Sequence, residues 1–308
     1  MASAPSEATP PELRERLLTL MCSHLMVAQR FSTVAEIAAT PSAKATGPTA
    51  SLHLLFGMAA FSQGRAKDAA SEFRQCIAKR NQPCLSPKLP DVQSEAPRHM
   101  LALSLMRAGN KDEGRKQFQL TVDESPANLR IRLDFANFLQ ETGDSVAALQ
   151  QLHEVIARQP FDTDAWRRGA EIALGNPHYY EFAVDWTGEA LRNAPRDPRL
   201  LRARGEALLL AGDAGEAVEV WDRLGSKSPS DTAAHICCAI LSDRTPRQVE
   251  PAMEPAVSAE FCQWFRRLVG AGAESKIRSL QDRLDPLDKC LPSAATTLKS
   301  ILAEAEAA

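Results

Sequence analysis

Aromatic residues are scarce. They make up 6% of 308 residues, with two tyrosines, so no row of ring faces is expected on which bases could stack. Surplus positive charge is missing too. The formal net charge is −3, which argues against a dedicated nucleic-acid binder. No stretch of about 20 apolar residues occurs, so no segment is expected to span a membrane. The opening residues, MASAPSEATPP, lack a basic stretch followed by an apolar core and do not read as a secretory signal. CxxC pairs are absent. The seven cysteines (Cys22, Cys76, Cys84, Cys237, Cys238, Cys262, Cys290) are odd in number. They read as reduced, mostly buried thiols of an intracellular protein.

Catalytic signatures are lacking as well. GAGA at Gly270–Ala273 has no following glycine, no Lys-Ser/Thr pair and no preceding strand, so it is not a phosphate loop. HExxH, GxSxG and kinase motifs do not occur. The six histidines (His24, His53, His99, His153, His178, His235) are scattered and read as groove or surface residues, not metal ligands. Cys237 and Cys238 are neighbours on a helix, about 100° apart, and do not face one metal together. The expectation is a protein without cofactor, metal or catalysis.

What is present is periodic. Pro126, Pro160, Pro195 and Pro229 fall 34, 35 and 34 residues apart. Gly109, Gly143 and Gly212 keep the same beat, as do the large apolar residues Phe118, Leu152 and Trp221. Residues Leu129 to Asp162 show what one period contains. LRIRLDFANFLQETG places Leu133, Ala136 and Leu139 at helical spacing. The small Ala136 lets a partner helix approach. Gly143 suits a left-handed turn, and Asp144 or Ser145 can cap the next helix. DSVAALQQLHEVIARQP then puts Ala148, Leu152 and Val155 on one face, and Pro160 resets the chain.

Four further segments fit this template. Ala50–Pro83 carries Gly57, Gly64, Ala69 and Phe73. Glu95–Asn128 carries Ala102, Gly109, Gly114, Phe118 and Pro126. Thr163–Asp197 carries Trp166, Ala170, Ala183, Ala190 and Pro195, with one extra residue in its turn, GNPHYY. Pro198–Asp231 carries Leu201, Gly205, Gly212, Ala217, Trp221 and Pro229. A period of 34 with these residue types is the signature of the tetratricopeptide repeat. The expected fold is all-α, a right-handed superhelical solenoid of helix-turn-helix units.

The organisation expected along the chain follows. Residues 1–9 are disordered. Residues 10–49 form a degenerate hairpin, with Thr9 and Glu12 as a capping box, and then a linker. Five units occupy 50–231, interrupted by a Pro-rich insertion at about 81–94. Gly64 and Gly109 stand 45 residues apart because of it. Its Pro83, Pro87 and Pro90 point to an extended, solvent-facing loop, either a tolerated insertion or a partner contact. Residues 232–308 hold a degenerate repeat and capping helices. Apolar stripes there comprise Phe261, Trp264, Phe265 and Leu268, then Ile277, Leu280 and Leu284, then Leu298, Ile301 and Leu302.

One polar constellation stands out. The first helix of each repeat lines the concave surface, and its inward positions include Arg130 and Asn137, then Arg167, Arg168 and Glu171, then Arg199, Arg202 and Glu206. Guanidinium groups grip carboxylates bidentately, so this groove suits an acidic peptide. The competing reading is a solvated face balanced by its own carboxylates. The carboxylate clamp of chaperone-tail receptors is not reproduced, because Leu133 and Ala203 stand where it needs polar side chains.

The layout also resembles the subunit-seven family of the anaphase-promoting complex (cyclosome), over residues 12 to 175. The resemblance rests on LHLLFGMAAFSQGRAKDAASEFRQCIAKR, the proline insertion with its CLSP stretch, SEAPRHMLALSLMRAGNKDEGRKQF, and the FANFL segment at Phe135–Leu139. It implies a non-catalytic scaffold subunit of a ubiquitin ligase, nuclear and cytosolic, homodimeric through its N-terminal repeats and held among other repeat subunits. The alternative is a stand-alone adaptor or assembly chaperone that binds an acidic peptide in the groove.

Overall fold

The computed structural model describes residues 10–45, 47–84, 87–225, 228–270 and 284–298. Thr9, Ile277, Leu280, Ile301 and Leu302 lie outside them, as does the Gly270–Ala273 motif beyond its first residue. All the regular structure in the described residues is helical. The chain forms two compact units, Met1–Gln151 and Leu152–Ala308.

In the first unit, α1 (Pro11–Val27) and α2 (Phe31–Ala39) make a hairpin that packs on α4 (Ala50–Ser62). The expected linker before α4 contains a short helix, α3 (Pro41–Ala45). Two regular hairpins follow, α4 with α5 (Ala66–Lys79) and α6 (Ala96–Arg107) with α7 (Lys111–Glu124). Then come α8 (Leu129–Glu141) and the start of α9 (Ser145–Arg158). The turn glycines behave as their spacing requires: Gly64, Gly109 and Gly143 have φ of 75, 78 and 88°, a conformation that costs other residues dearly. After Gly109 and Gly143 the next residue caps the following helix. Asn110 Oδ1 accepts from the Glu113 amide at 3.4 Å, and Asp144 Oδ1 from the Ala147 amide at 3.1 Å.

Helices within a pair touch through a small residue facing a large one. A Cβ on Gly57 would lie 2.7 Å from the Phe73 ring. Beside these apolar contacts runs a polar rung that the sequence pattern does not announce. His53–Glu72, Arg98–Gln117 and Arg132–Gln151 bridge first to second helix at 2.7, 3.1 and 2.9 Å, each pair 19 residues apart. His53 donates from Nδ1 to Glu72 and accepts from Lys79 at Nε2, because a carboxylate only accepts and an ammonium only donates. His53 and His235 are buried, which corrects the groove-or-surface reading of these two histidines.

The proline insertion is also corrected. Pro83, Pro87 and Pro90 are exposed, yet Val92 is fully buried and Leu89 packs against the cores of α1–α4 and α4–α6. The Leu89 amide donates to Ser51 Oγ at 3.1 Å, and Lys88 Nζ and Gln93 Nε2 both donate to the Arg80 carbonyl. The segment is a strap seated by two apolar side chains, not a free loop.

The second unit pairs α10 (Thr163–Leu174) with α11 (Tyr180–Asn193), α12 (Pro198–Ala211) with α13 (Ala214–Leu224), and α14 (Pro229–Leu241) with α15 (Glu254–Gly270). A further short helix, α16 (Leu284–Cys290), precedes helical residues 292–298. The extra residue of GNPHYY forms a 3-10 turn, Pro177–Tyr179. Gly175 therefore stays at φ −75°, whereas Gly212 reaches 102°.

The close contact in this unit uses Gly169, not Ala170. A Cβ on Gly169 would fall 2.2 Å from the Trp186 ring, and one on Gly205 2.6 Å from Trp221. Trp186 thus completes the apolar series Phe118, Leu152, Trp186, Trp221, with steps of 34, 34 and 35. Its Nε1 donates to the Trp166 carbonyl at 2.7 Å, and Trp166 Nε1 to the Pro160 carbonyl at 2.7 Å. The stripe Phe261, Trp264, Phe265 and Leu268 is buried, as is Leu298. Glu254 ties the two C-terminal helical segments together, accepting from the Ser293 amide at 3.1 Å and its hydroxyl at 3.0 Å.

Candidate functional site

The first helices α10 and α12 lie side by side in the second unit. Asp162 Oδ1 caps α10 through the Ala165 amide at 3.0 Å. Asp197 Oδ1 caps α12 through the amides of Arg199 and Leu200 at 2.8 and 3.1 Å, and Pro198 occupies the first turn, where no amide is needed. These caps set the helical register. On α10 that register aligns Arg167, Glu171 and Leu174; on α12 it aligns Arg199, Arg202, Ala203 and Glu206. The two rows line an open hollow of about 320 Å³. Its floor is apolar, from Leu174 and Ala203, and its rim is charged.

The rim charges are largely spoken for. Arg167 Nη1 pairs with Glu171 at 2.5 Å, and its Nε stands 3.7 Å from Asp164. Arg202 donates from Nε to both oxygens of Asp231, at 2.9 and 3.1 Å, and from Nη2 to Oδ2 at 2.9 Å. Those hydrogen bonds push the Arg202 pKa further up. Asp231 is buried, near the start of α14. Glu206 pairs with Arg267 of α15, whose guanidinium lies 4.7 Å from the Trp264 ring centroid. Arg199 is exposed and pairs with no carboxylate among the described residues.

Of the six arginine and asparagine positions singled out in the sequence, Arg167, Arg199 and Arg202 come together here. Arg168 is half-buried on α10, is engaged in an interaction of its own, and does not line the hollow. Arg130 and Asn137 lie on α8 in the first unit, one exposed and the other half-buried with a partner. Asp231 and Arg267 were not visible to helical spacing. Asp231 lies 29 residues beyond Arg202, on the first helix of the next pair, and Arg267 lies 61 beyond Glu206.

Burial pushes Cys22 and Cys237 up to about 12 and Cys76 to about 11, so these thiols stay protonated and unreactive. Burial, aided by Arg247, lowers the pKa of His235, whose Nε2 lies 3.1 Å from Asp222. Among the described residues no group of three or more His, Cys, Asp or Glu is arranged to hold a metal ion, and no helix is long and apolar enough to cross a membrane.

Comparison with known proteins agrees with the repeat. Tetratricopeptide repeat protein 21B of Xenopus laevis is 26% identical over 136 residues, which is 43% of this chain and 10% of that protein. The chain thus matches about a tenth of the length of that relative. Among solved structures, MamA AMB-1 aligns with a TM-score of 0.44 at 16% identity, covering 57% of this chain and 90% of the other. MamA 41-end from Desulfovibrio magneticus RS-1 aligns at 0.45 and 15%, covering 57% and 93%. The tetratricopeptide repeat family model matches residues 188–231. That repeat runs from the end of α11 to the start of α14, and so carries Arg199, Arg202 and Asp231 together.

Proposed function

We propose that this chain is a non-catalytic scaffold that holds protein partners, and that the hollow between α10 and α12 receives an acidic peptide. The observation that supports this is the convergence of Arg167, Arg199 and Arg202 on one open, apolar-floored hollow. Repeat scaffolds bind along such surfaces, and arginine is the side chain suited to a partner carboxylate. The test is titration of a library-selected peptide against the wild type and Arg199→Glu. Charge reversal is expected to weaken binding at least tenfold, as loss of a charge-assisted contact worth about 1.5–3 kcal/mol requires. Equal affinities would refute the reading.

Self-association through the N-terminal helices is a second reading, favoured by one observation. α1 packs Leu18 and Cys22 inward against α2 and α4, yet its outer side exposes Leu13, Leu17, Leu20 and Val27 by 50, 36, 56 and 85%. A helix face left to water is normally polar. Light scattering of the full chain is expected to show a dimer that Leu17→Glu/Leu20→Glu converts to a folded monomer. A wild type that is monomeric at high concentration rules this out.

Membership of the cell-cycle ubiquitin ligase, with residence in nucleus and cytoplasm among other repeat subunits, is the finer proposal implied by the resemblance. Its support is the sequence layout alone. Co-purification of ligase subunits with the tagged chain is the expected result, and their absence would remove the proposal.

A further inference from the structure

The hollow is less basic than its arginines suggest. Each of Arg167, Arg202 and Arg267 already holds a carboxylate, respectively Glu171, Asp231 and Glu206. Arg199 alone on the rim pairs with no carboxylate among the described residues. A tract of acidic residues would therefore bring more negative charge than the site can neutralise, and Glu171 and Glu206 would repel the excess.

Among the described residues, Arg202 is occupied on one side only. A guanidinium has two bidentate edges, the side edge (Nε with one Nη) and the end edge (the two Nη groups). Asp231 takes the side edge through Nε and Nη2. The end edge keeps its remaining hydrogens, and the Arg202 side chain is 44% exposed on the rim. The buried Asp231 thus fixes the orientation of Arg202 without consuming its binding capacity, while Leu174 and Ala203 offer apolar surface below.

We propose that the hollow selects a single acidic side chain flanked by an apolar residue, and that Asp231 is the positioning residue that sets this selectivity. The partner is a peptide in which one Glu or Asp carboxylate lies between Arg199 and the end edge of Arg202. Its methylenes and the neighbouring apolar side chain cover Leu174 and Ala203. A side-chain carboxylate fits better than a chain terminus, because Ala203 supplies no donor for the terminal peptide group. This inference rests on the reading of the hollow as a peptide site.

The experiment is selection of a random phage-displayed peptide library on the full chain, followed by fluorescence polarisation with synthetic, C-terminally amidated peptides. One acid beside an apolar residue is expected to be enriched. Arg199→Gln should weaken that peptide about tenfold and Arg199→Lys less, with helix content unchanged by circular dichroism because Arg199 is exposed. Asp231→Asn releases Arg202 as a second free cation. The ratio of two-acid to one-acid affinity should then rise about tenfold, whereas a merely structural role for Asp231 would weaken both peptides alike. If that variant does not fold, the selected motif and the Arg199 series decide. Enrichment of acidic tracts that still need Arg199, or binding that is lost on amidation, overturns the single-carboxylate inference and leaves the peptide site standing. No enrichment at all overturns both.

Discussion

Gly169→Ala is expected to destabilise the second unit by roughly 1–3 kcal/mol, the usual cost of overpacking a filled contact. The added methyl would sit 2.2 Å from the Trp186 ring, which is itself wedged at 4.9 Å from Trp166 and hydrogen-bonded to its carbonyl. Neither ring can retreat cheaply. Trp186→Ala should cost more, about 3–5 kcal/mol, because it empties a large buried site. Trp186→Phe makes room for the methyl, so Gly169→Ala added to it should cost at least about 1 kcal/mol less than in the wild type, the coupling expected of residues in contact. Gly215→Ala is the control: its nearest neighbour is a side-chain oxygen 3.9 Å away, and alanine favours the helix. Urea unfolding followed by tryptophan fluorescence reads these effects, since Trp166, Trp186, Trp221 and Trp264 all lie in the second unit. Additive costs in the double variant would show that the contact is not tight.

Val92→Asp is expected to have the larger effect in the first unit, about 4 kcal/mol or more. The side chain is wholly buried in the cluster formed by α4, α5 and α6. A carboxylate there would be taken out of water into an apolar cluster. Pro87→Ser, on the exposed side of the same strap, should change stability by less than about 0.5 kcal/mol. The two substitutions lie five positions apart and separate a seated strap from a solvated loop. Thermal melts by circular dichroism give the midpoints. Hydrogen exchange should show lost protection in α4 to α6 for Val92→Asp. An unchanged midpoint for Val92→Asp would mean that the strap does not close this core.

The helix pairs and their turns were readable because each depends on neighbours in sequence. Gly64, Gly109, Gly143 and Gly212 needed only the preference of glycine for positive φ, and Asp144 only its proximity to a helix start. Gly57 facing Phe73 was readable because the separation from first to second helix repeats. Trp186 was missed for the same reason in reverse: the extra residue in GNPHYY shifts the partner from Ala170 to Gly169. The strap was misread because its three prolines carry the visible signal. Leu89 and Val92 follow no period, so nothing in the sequence distinguishes them from solvent-facing residues.

The sequence by itself determined the helical hairpins, the beat that matches a tetratricopeptide repeat at 188–231, and the presence of arginines at recurring first-helix positions. These properties follow from spacings within one or two turns of helix or one repeat. Only the tertiary structure decided what those arginines can do. Arg202 meets Asp231 and Glu206 meets Arg267 across 29 and 61 residues, and charge pairing depends on distance in space, which falls off too steeply to be inferred from separation along the chain. Among the described residues, those pairings turn a run of guanidinium groups into a site with one open cation, Arg199, beside an arginine held in place by a buried carboxylate.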